Sequence, residues 1–405
     1  MIEAIELHLT GRLGSDTGAF NPLTAAPDGR GPSVSAIIPN YNHARFLDQR
    51  IQSILQQRLP VNELIILDDA STDDSLQVIE RAIAGAHVPC RIIRNSKNSG
   101  SIFAQWQKGL AAASGDIVWI CESDDDCEEG FLATLVPYFV DPGVMLAFGD
   151  INFIDEHGKE RKDVNDYRLY SGFFDRPHIA SAHAWFNGPL GTRCIITNVG
   201  GCLFRRQSLS DDIRSELVTY RTCGDWFLYS RLARGGKIAF DPKAKASFRV
   251  HGSNSSLSSF KVDGYYRECL RVLQAFRRHY GIDRPTVQTA LQNTYNQCVE
   301  HLGRDAARKL VDDQAFRATM AVPRTTQHIV LSVNAGGDVG EICRRSIDLA
   351  KHGNDVSLVV PHQAVAHELR VALPGEIAIF IEGDTADRGA GFAQDVGATT
   401  QLALN

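Results

Sequence analysis

The stretch GDIVWICESDDDCEEGFL, residues 115–132, runs an apolar segment straight into Glu122, Ser123, Asp124, Asp125 and Asp126. Carboxylates this close repel one another, so a buried strand ends in this way where a cation or solvent offsets the charge. Solvated acid is the plain reading. The chemical one is a divalent ion beside phosphate oxygens, because Mg²⁺ or Mn²⁺ takes oxygen ligands, keeps waters and bridges a diphosphate. A second acidic pair, Asp68 and Asp69, closes the apolar run ELIILDD. It could cap the next helix, or accept from the N–H of a nucleobase or from ribose hydroxyls. Asp225 in CGDW and His251 in FRVHGS read, taken singly, as a helix N-cap and a loop histidine.

These residues need a scaffold, and its pattern starts at Ser33. VSAIIP, ELIILDD, CRIIRN and DIVWICE are short runs rich in β-branched residues, and they alternate with the amphipathic segments LDQRIQSILQQ, SLQVIERAIAG and IFAQWQKGLAAAS. That alternation predicts βαβ units, an α/β fold with a mostly parallel central sheet and helices on both faces. Ligands of such sheets gather beyond the carboxyl ends of the strands. There lie IIPNYNH, LDDASTDDS, RNSKNSGS and CESDDD, so separate loops converge on one edge. Farther on, MLAFGDINFID reads as a strand pair, CGDWFLYSRLARGG as a helix ending in Gly, and IAFDPKAKASFRVHG as closing strands. Residues 262–320 are helical by period and read as an appendix. After Pro323, HIVLSVNAGGDVGEICRRSIDLAKHGNDVSLVVP predicts one Rossmann-like βαβ unit, about half a nucleotide-binding lobe, which suggests a shortened chain.

The 405 residues leave room for two or three domains, and 43% hydrophobic with 22% charged residues is ordinary globular composition. A net charge of −6 argues against a general nucleic-acid surface. Nine scattered cysteines without a CxxC pair fit reduced thiols. The first residues lack the basic start and apolar core of a signal peptide, and no run reaches the ~20 apolar residues of a membrane span. The expectation is a cytoplasmic protein, with peripheral contact at the inner membrane face included.

The stretches VSAIIPNYNHARFLDQRIQSILQQ, ELIILDDASTDDS, NSGSIFAQWQKGLAAASGDIVWICESDDD, CGDWFLYSRLARGGKIAF and FRVHGSNSS resemble, in order and spacing, glycosyltransferase family 2, over about residues 33–255. The variant with QWQKG and ESDD is similar to a branch found in bacterial surface-polysaccharide loci. The resemblance implies a GT-A fold and inverting transfer of a hexosyl or deoxyhexosyl group from a nucleotide-diphosphate sugar to a glycan or lipid-linked glycan. It implies that Pro39, Tyr41, Asp68, Asp69 and Asp124 bind the donor, that Asp124, Asp125 and His251 hold Mn²⁺ or Mg²⁺, and that Asp225 is the catalytic base. A base is needed because a sugar hydroxyl is a poor nucleophile until its proton is withdrawn. Many relatives carry Arg-Asn where this chain has Gln105-Trp106, which removes a phosphate-binding cation; Lys97 or Arg193 could stand in for it. NAGGDVGE resembles the opening of a GT-B lobe over one unit only.

The expected organisation is a flexible lead-in at 1–32, a GT-A domain at 33–260, a helical extension at 261–322 and a partial Rossmann-like segment at 323–405. A nucleotidyltransferase would carry a Gly-rich, Arg/Lys-bearing first loop, which IIPNYNH lacks. A non-catalytic sugar-nucleotide-binding scaffold would be expected to have lost Asp225 or the acid cluster, and both are present.

Overall fold

The computed structural model describes residues 31–162, 172–252, 254, 258–280, 282, 284–312, 328–333, 338–351, 355–360, 365, 369, 378–381 and 400–404. The lead-in 1–30 and most of the Gly-rich turn after Val333 lie outside these residues.

The α/β architecture expected from the sequence is present. Strands β1 (Val34–Asn40), β2 (Glu63–Asp68), β3 (Cys90–Arg94) and β4 (Ile117–Ile120) form a parallel group in the order β3-β2-β1-β4. The intervening helices Ala44–Leu55, Ser75–Ile83 and Ile102–Ala112 are the amphipathic segments of the sequence. Along β1 and β2 the pleat sends Ile37, Ile65 and Leu67 to one core, and Ala36, Ile38, Leu64 and Ile66 to the other. Continuously apolar strands follow from this burial on both faces.

The sheet then continues with a change of direction. Antiparallel β8 (Cys202–Arg205) pairs with β4 and with β6 (Val144–Ile154); β6 pairs with β9 (Lys237–Arg249), and β5 (Asp126–Cys127) and β7 (His178–Ser181) both join β9. The expected strand pair at MLAFGDINFID is one strand, β6, with a register shift between Gly149 and Asp150. A Cβ on Gly149 would lie 2.2 Å from the Ala244 carbonyl oxygen, so only glycine lets the backbones approach there.

The helices Asp263–Tyr280, Arg284–Leu302 and Arg304–Asp312 are not a peripheral appendix. Tyr266, Leu270, Leu273, Phe276, Val287, Leu291 and Leu310 are buried in the same core as Trp185 and Trp226. Nearer the C-terminus, a four-stranded parallel sheet has the order β12-β11-β10-β13, formed by β10 (His328–Val333), β11 (Asp355–Val360), β12 (Ala378–Ile381) and β13 (Thr400–Leu404). Its core, around Leu331, Ile342 and Leu358, is its own. The closing stretch QLAL, residues 401–404, supplies most of β13.

Candidate active site

The acid loop begins where β4 stops. Cys121 N still donates to Ile37 O at 2.7 Å, and Asp125 N then closes a turn on Glu122 O. Each carboxylate has its own surroundings. The Asp124 Oδ2 lies 3.0 Å from His251 Nε2, and the imidazole is wholly buried. Asp125 is buried with both oxygens engaged: Oδ1 accepts from Arg249 N at 2.8 Å and Oδ2 from Asn198 Nδ2 at 2.6 Å. Asp126 Oδ2 accepts from Gln49 Nε2 at 2.5 Å. Arg249 fastens the loop from below, donating from Nε to Asp124 O at 2.7 Å and from Nη2 to Gln49 Oε1 at 3.0 Å.

Proton affinities separate accordingly. Burial pushes the Asp124 carboxyl up, but the hydrogen bond with His251 and the charges of His43 and His251 outweigh it and hold Asp124 below the usual value. Burial and the neighbouring Asp124 charge raise Asp125. Burial, then Asp125, Asp124 and Asp225, push Glu122 well above the carboxylate range. Asp225 thus lies within electrostatic reach of Glu122 in the acid loop. A buried positive charge also opposes the cluster: Arg50 lies beneath it, 5.2 Å over the Trp119 ring, and acts electrostatically on Cys121, Cys127, Asp125 and Asp126.

Among the described residues no three His, Cys, Asp or Glu side chains converge as a metal cage. Asp124 and His251 do converge as a pair. A carboxylate and an imidazole are a donor pair that would suit a Mn²⁺-class ion. Asp125 stands differently, because its lone pairs facing Arg249 and Asn198 are already used.

Asp225 lies in the first turn of the helix Gly224–Leu232, whose N-cap is Cys223, so Asp225 does not itself cap the helix. Its Oδ1 accepts from Trp226 N at 2.7 Å. Burial pushes its carboxyl up to about 7, with Glu268 adding to the rise and the backbone hydrogen bonds opposing it. Gly224 has a packing reason: a Cβ there would meet the Phe103 ring at 2.5 Å. The helix thus seats directly on the helix Ile102–Ala112.

The β1 and β2 ends form the other half of the edge. Asn40 and Asp68 are register partners, and Asn40 Nδ2 donates to Asp68 Oδ1 at 3.2 Å. Asp69 is a hub that accepts from Asn95 Nδ2 at 2.6 Å, Ser99 Oγ at 2.7 Å and Gln105 Nε2 at 3.0 Å. Both aspartates are buried. Pro39 is buried within β1 opposite Leu67, whereas Tyr41 is 44% exposed at the mouth of the loop. Asn42 and Ala70, in the loops that follow β1 and β2, both have left-handed backbone, φ 56° and 60°. For alanine that conformation is strained, and such strain concentrates at functional loops. Gln105 is spent on Asp69 and Ser99, and Trp106 is packed at the edge of Phe103, so neither substitutes for a phosphate-binding arginine. Lys97 is exposed. Sequence reasoning missed Asn198, Arg249 and Glu268, since nothing local marks a residue whose partner is far along the chain.

No helix among the described residues is long and apolar enough to cross a membrane. Residues 35–210 match the model of glycosyl transferase family 2. An uncharacterised glycosyltransferase of Nostoc sp. is 28% identical over 227 residues, 56% of this chain and 67% of that one. A Bacillus subtilis glycosyltransferase named for teichuronic acid biosynthesis is 31% identical over 130 residues, 31% of this chain and 50% of that one. The chain therefore spans between half and two thirds of the length of these relatives. A crystal structure of S. aureus TarS in complex with UDP-GlcNAc superposes with a TM-score of 0.48 at 17% identity, over 71% of this chain and 78% of that one. The span that matches the glycosyl transferase family 2 model holds β1–β4, the acid loop and β8.

Proposed function

We propose that the protein transfers a hexosyl or deoxyhexosyl group from a nucleotide-diphosphate sugar to a glycan or lipid-linked glycan hydroxyl, with inversion at the anomeric carbon. The observation that carries this reading is Asp225, a partly buried carboxyl raised to about 7 whose charge reaches the acid loop. A base of that proton affinity is matched to neutral pH: it is substantially ionised, and it can accept the acceptor's proton as the hydroxyl attacks.

The donor lies along the strand edge. The loops 40–42, 68–71 and 95–99 cradle the nucleoside, with Tyr41 at the mouth and Asp68 and Asp69 holding the loop backbones in place. Pro39 lies within the first strand, one residue before its end. Asp124 and His251 hold a divalent cation, Mn²⁺ or Mg²⁺, and Asp125 is better read as the group that fixes the loop carrying Asp124. When bound, such an ion offsets negative charge on the departing diphosphate. Catalysis belongs to residues 33–260 with the helices of 261–322, while 323–405 form a separate unit. The relative named for teichuronic acid biosynthesis supports a role in bacterial surface polysaccharide, and a cytoplasmic site at the inner membrane face accords with a lipid-linked acceptor.

The test is a panel of nucleotide sugars with Mn²⁺ or Mg²⁺, reading nucleoside-diphosphate release with and without acceptor glycans. Acceptor-stimulated release supports transfer. Binding without release from any donor favours the scaffold, and pyrophosphate release from a nucleoside triphosphate and a sugar phosphate favours a nucleotidyltransferase.

A further inference from the structure

Asp225 lies beyond the span matched by the family model, and so does the group that holds it in place. The loop Arg221-Thr222-Cys223 leads into the helix Gly224–Leu232, and its N-cap Cys223 makes no side-chain capping bond. The need is met from elsewhere. Glu268, on the helix Asp263–Tyr280, accepts from Arg221 N at 2.7 Å, Thr222 N at 2.9 Å and Cys223 N at 2.9 Å. One carboxylate thus gathers successive backbone donors just ahead of Asp225, where the positive end of the helix dipole also favours an anion.

The rest of that helix is locked to the same element. Cys269 Sγ stands 3.7 Å from Cys223 Sγ, the Phe276 ring meets Trp226 edge-on at 5.2 Å, and Tyr280 Oη donates to Ser230 O. The pitch of the base-bearing helix is therefore set by a segment that a sequence reading treats as an extension.

We propose that Glu268 is a positioning residue for the reaction, holding the 221–223 loop so that the Asp225 carboxyl faces the acceptor hydroxyl and supplying a fixed negative charge behind it. This rests on the reading of Asp225 as the base. Glu122 from the acid loop and Cys194, Cys202, Cys223 and Tyr229 also lie within electrostatic reach of Asp225. Glu268 both acts on Asp225 by charge and bonds the backbone that leads into it.

The experiment compares the full-length protein with Glu268→Gln, Glu268→Ala and Asp225→Asn, each first checked by circular dichroism and thermal melting. It measures donor KM, kcat and the pH profile of kcat. Glu268→Gln keeps size and an accepting oxygen but removes the charge, so the acid limb of the profile should move to lower pH with donor KM within ~2-fold of the wild type. Glu268→Ala should lower kcat by at least ~10-fold at unchanged donor KM, with Glu268→Gln restoring part of the loss. If Asp225→Asn abolishes the limb while Glu268→Gln leaves it and kcat unmoved, the inference is overturned and the base reading stands. If the limb persists in Asp225→Asn, the base reading itself fails, and this inference with it. Should Glu268→Ala not fold, the shift or constancy of the limb in Glu268→Gln still decides.

Discussion

Asp124 and His251 stand 3.0 Å apart although 127 residues separate them along the chain. One ends the parallel half of the sheet and the other follows its last long strand, so the completed sheet is what brings carboxylate to imidazole. Asp125, next in sequence, points its oxygens to Arg249 and Asn198 instead. Adjacent acids in one motif therefore have different uses.

That difference predicts divergent variants. Asp124→Ala and His251→Ala should fold and lose the increase in nucleotide-sugar affinity that divalent metal brings, as measured by calorimetry with and without EDTA. Affinity for the correct donor that is indifferent to chelation in the wild type would count against the metal assignment.

Asp125→Ala should first of all destabilise, by about 1–3 kcal/mol, because it strands the buried Arg249 N and Asn198 Nδ2 donors. Urea titration checks this. A variant of wild-type stability would argue that Asp125 is free to serve as a ligand.

Asp225→Asn should leave donor binding within ~2-fold and lower transfer by at least ~10²-fold, since the amide keeps the shape but cannot take a proton. Wild-type transfer should rise with pH through about 7 and level off above it, as the base must be ionised. Near-normal transfer by the variant would remove Asp225 from this role.

The same carboxyl makes a stability prediction. Its folded-state pKa is raised from 3.8 to about 7, so the stability it contributes is full below ~4 and is lost as pH rises through about 7. Asp225→Asn should therefore be more stable relative to wild type at pH 8 than at pH 5. Melting curves at both pH values test the sign, and an equal difference at the two would show that Asp225 is not perturbed.

Gly224→Ala should cost about 1–3 kcal/mol and depress kcat, because the new methyl meets the buried Phe103 ring and tilts the helix that carries Asp225. Chemical denaturation and initial rates measure the two effects. An unperturbed, fully active variant would show that this contact is slack.

A chain ending at Ala321 should keep donor turnover, given that the sheet β10–β13 has its own core. A truncated chain that folds yet has lost turnover would mean that residues 323–405 belong to the catalytic unit.

The sequence by itself determined the parallel half of the sheet and the edge on which the site forms. Strands such as VSAIIP and ELIILDD carry local periodicity, and a run buried on both faces ends in acids where the strand terminus meets something that offsets their charge. It likewise marked Asp124, Asp225 and His251 as residues to watch. Only the tertiary structure decided which neighbours those residues have. Asp125 is tied down by Asn198 and Arg249, Gln105 is spent on Asp69, and the loop before Asp225 hangs on Glu268 from a helix that reads as an appendage. The closing strand β13 was equally invisible, because its evidence is a parallel pairing with β10 and not a pattern of its own. Hydrogen bonds between residues far apart along the chain leave no periodic trace. Packing selects them, after the local elements that the sequence does encode have assembled.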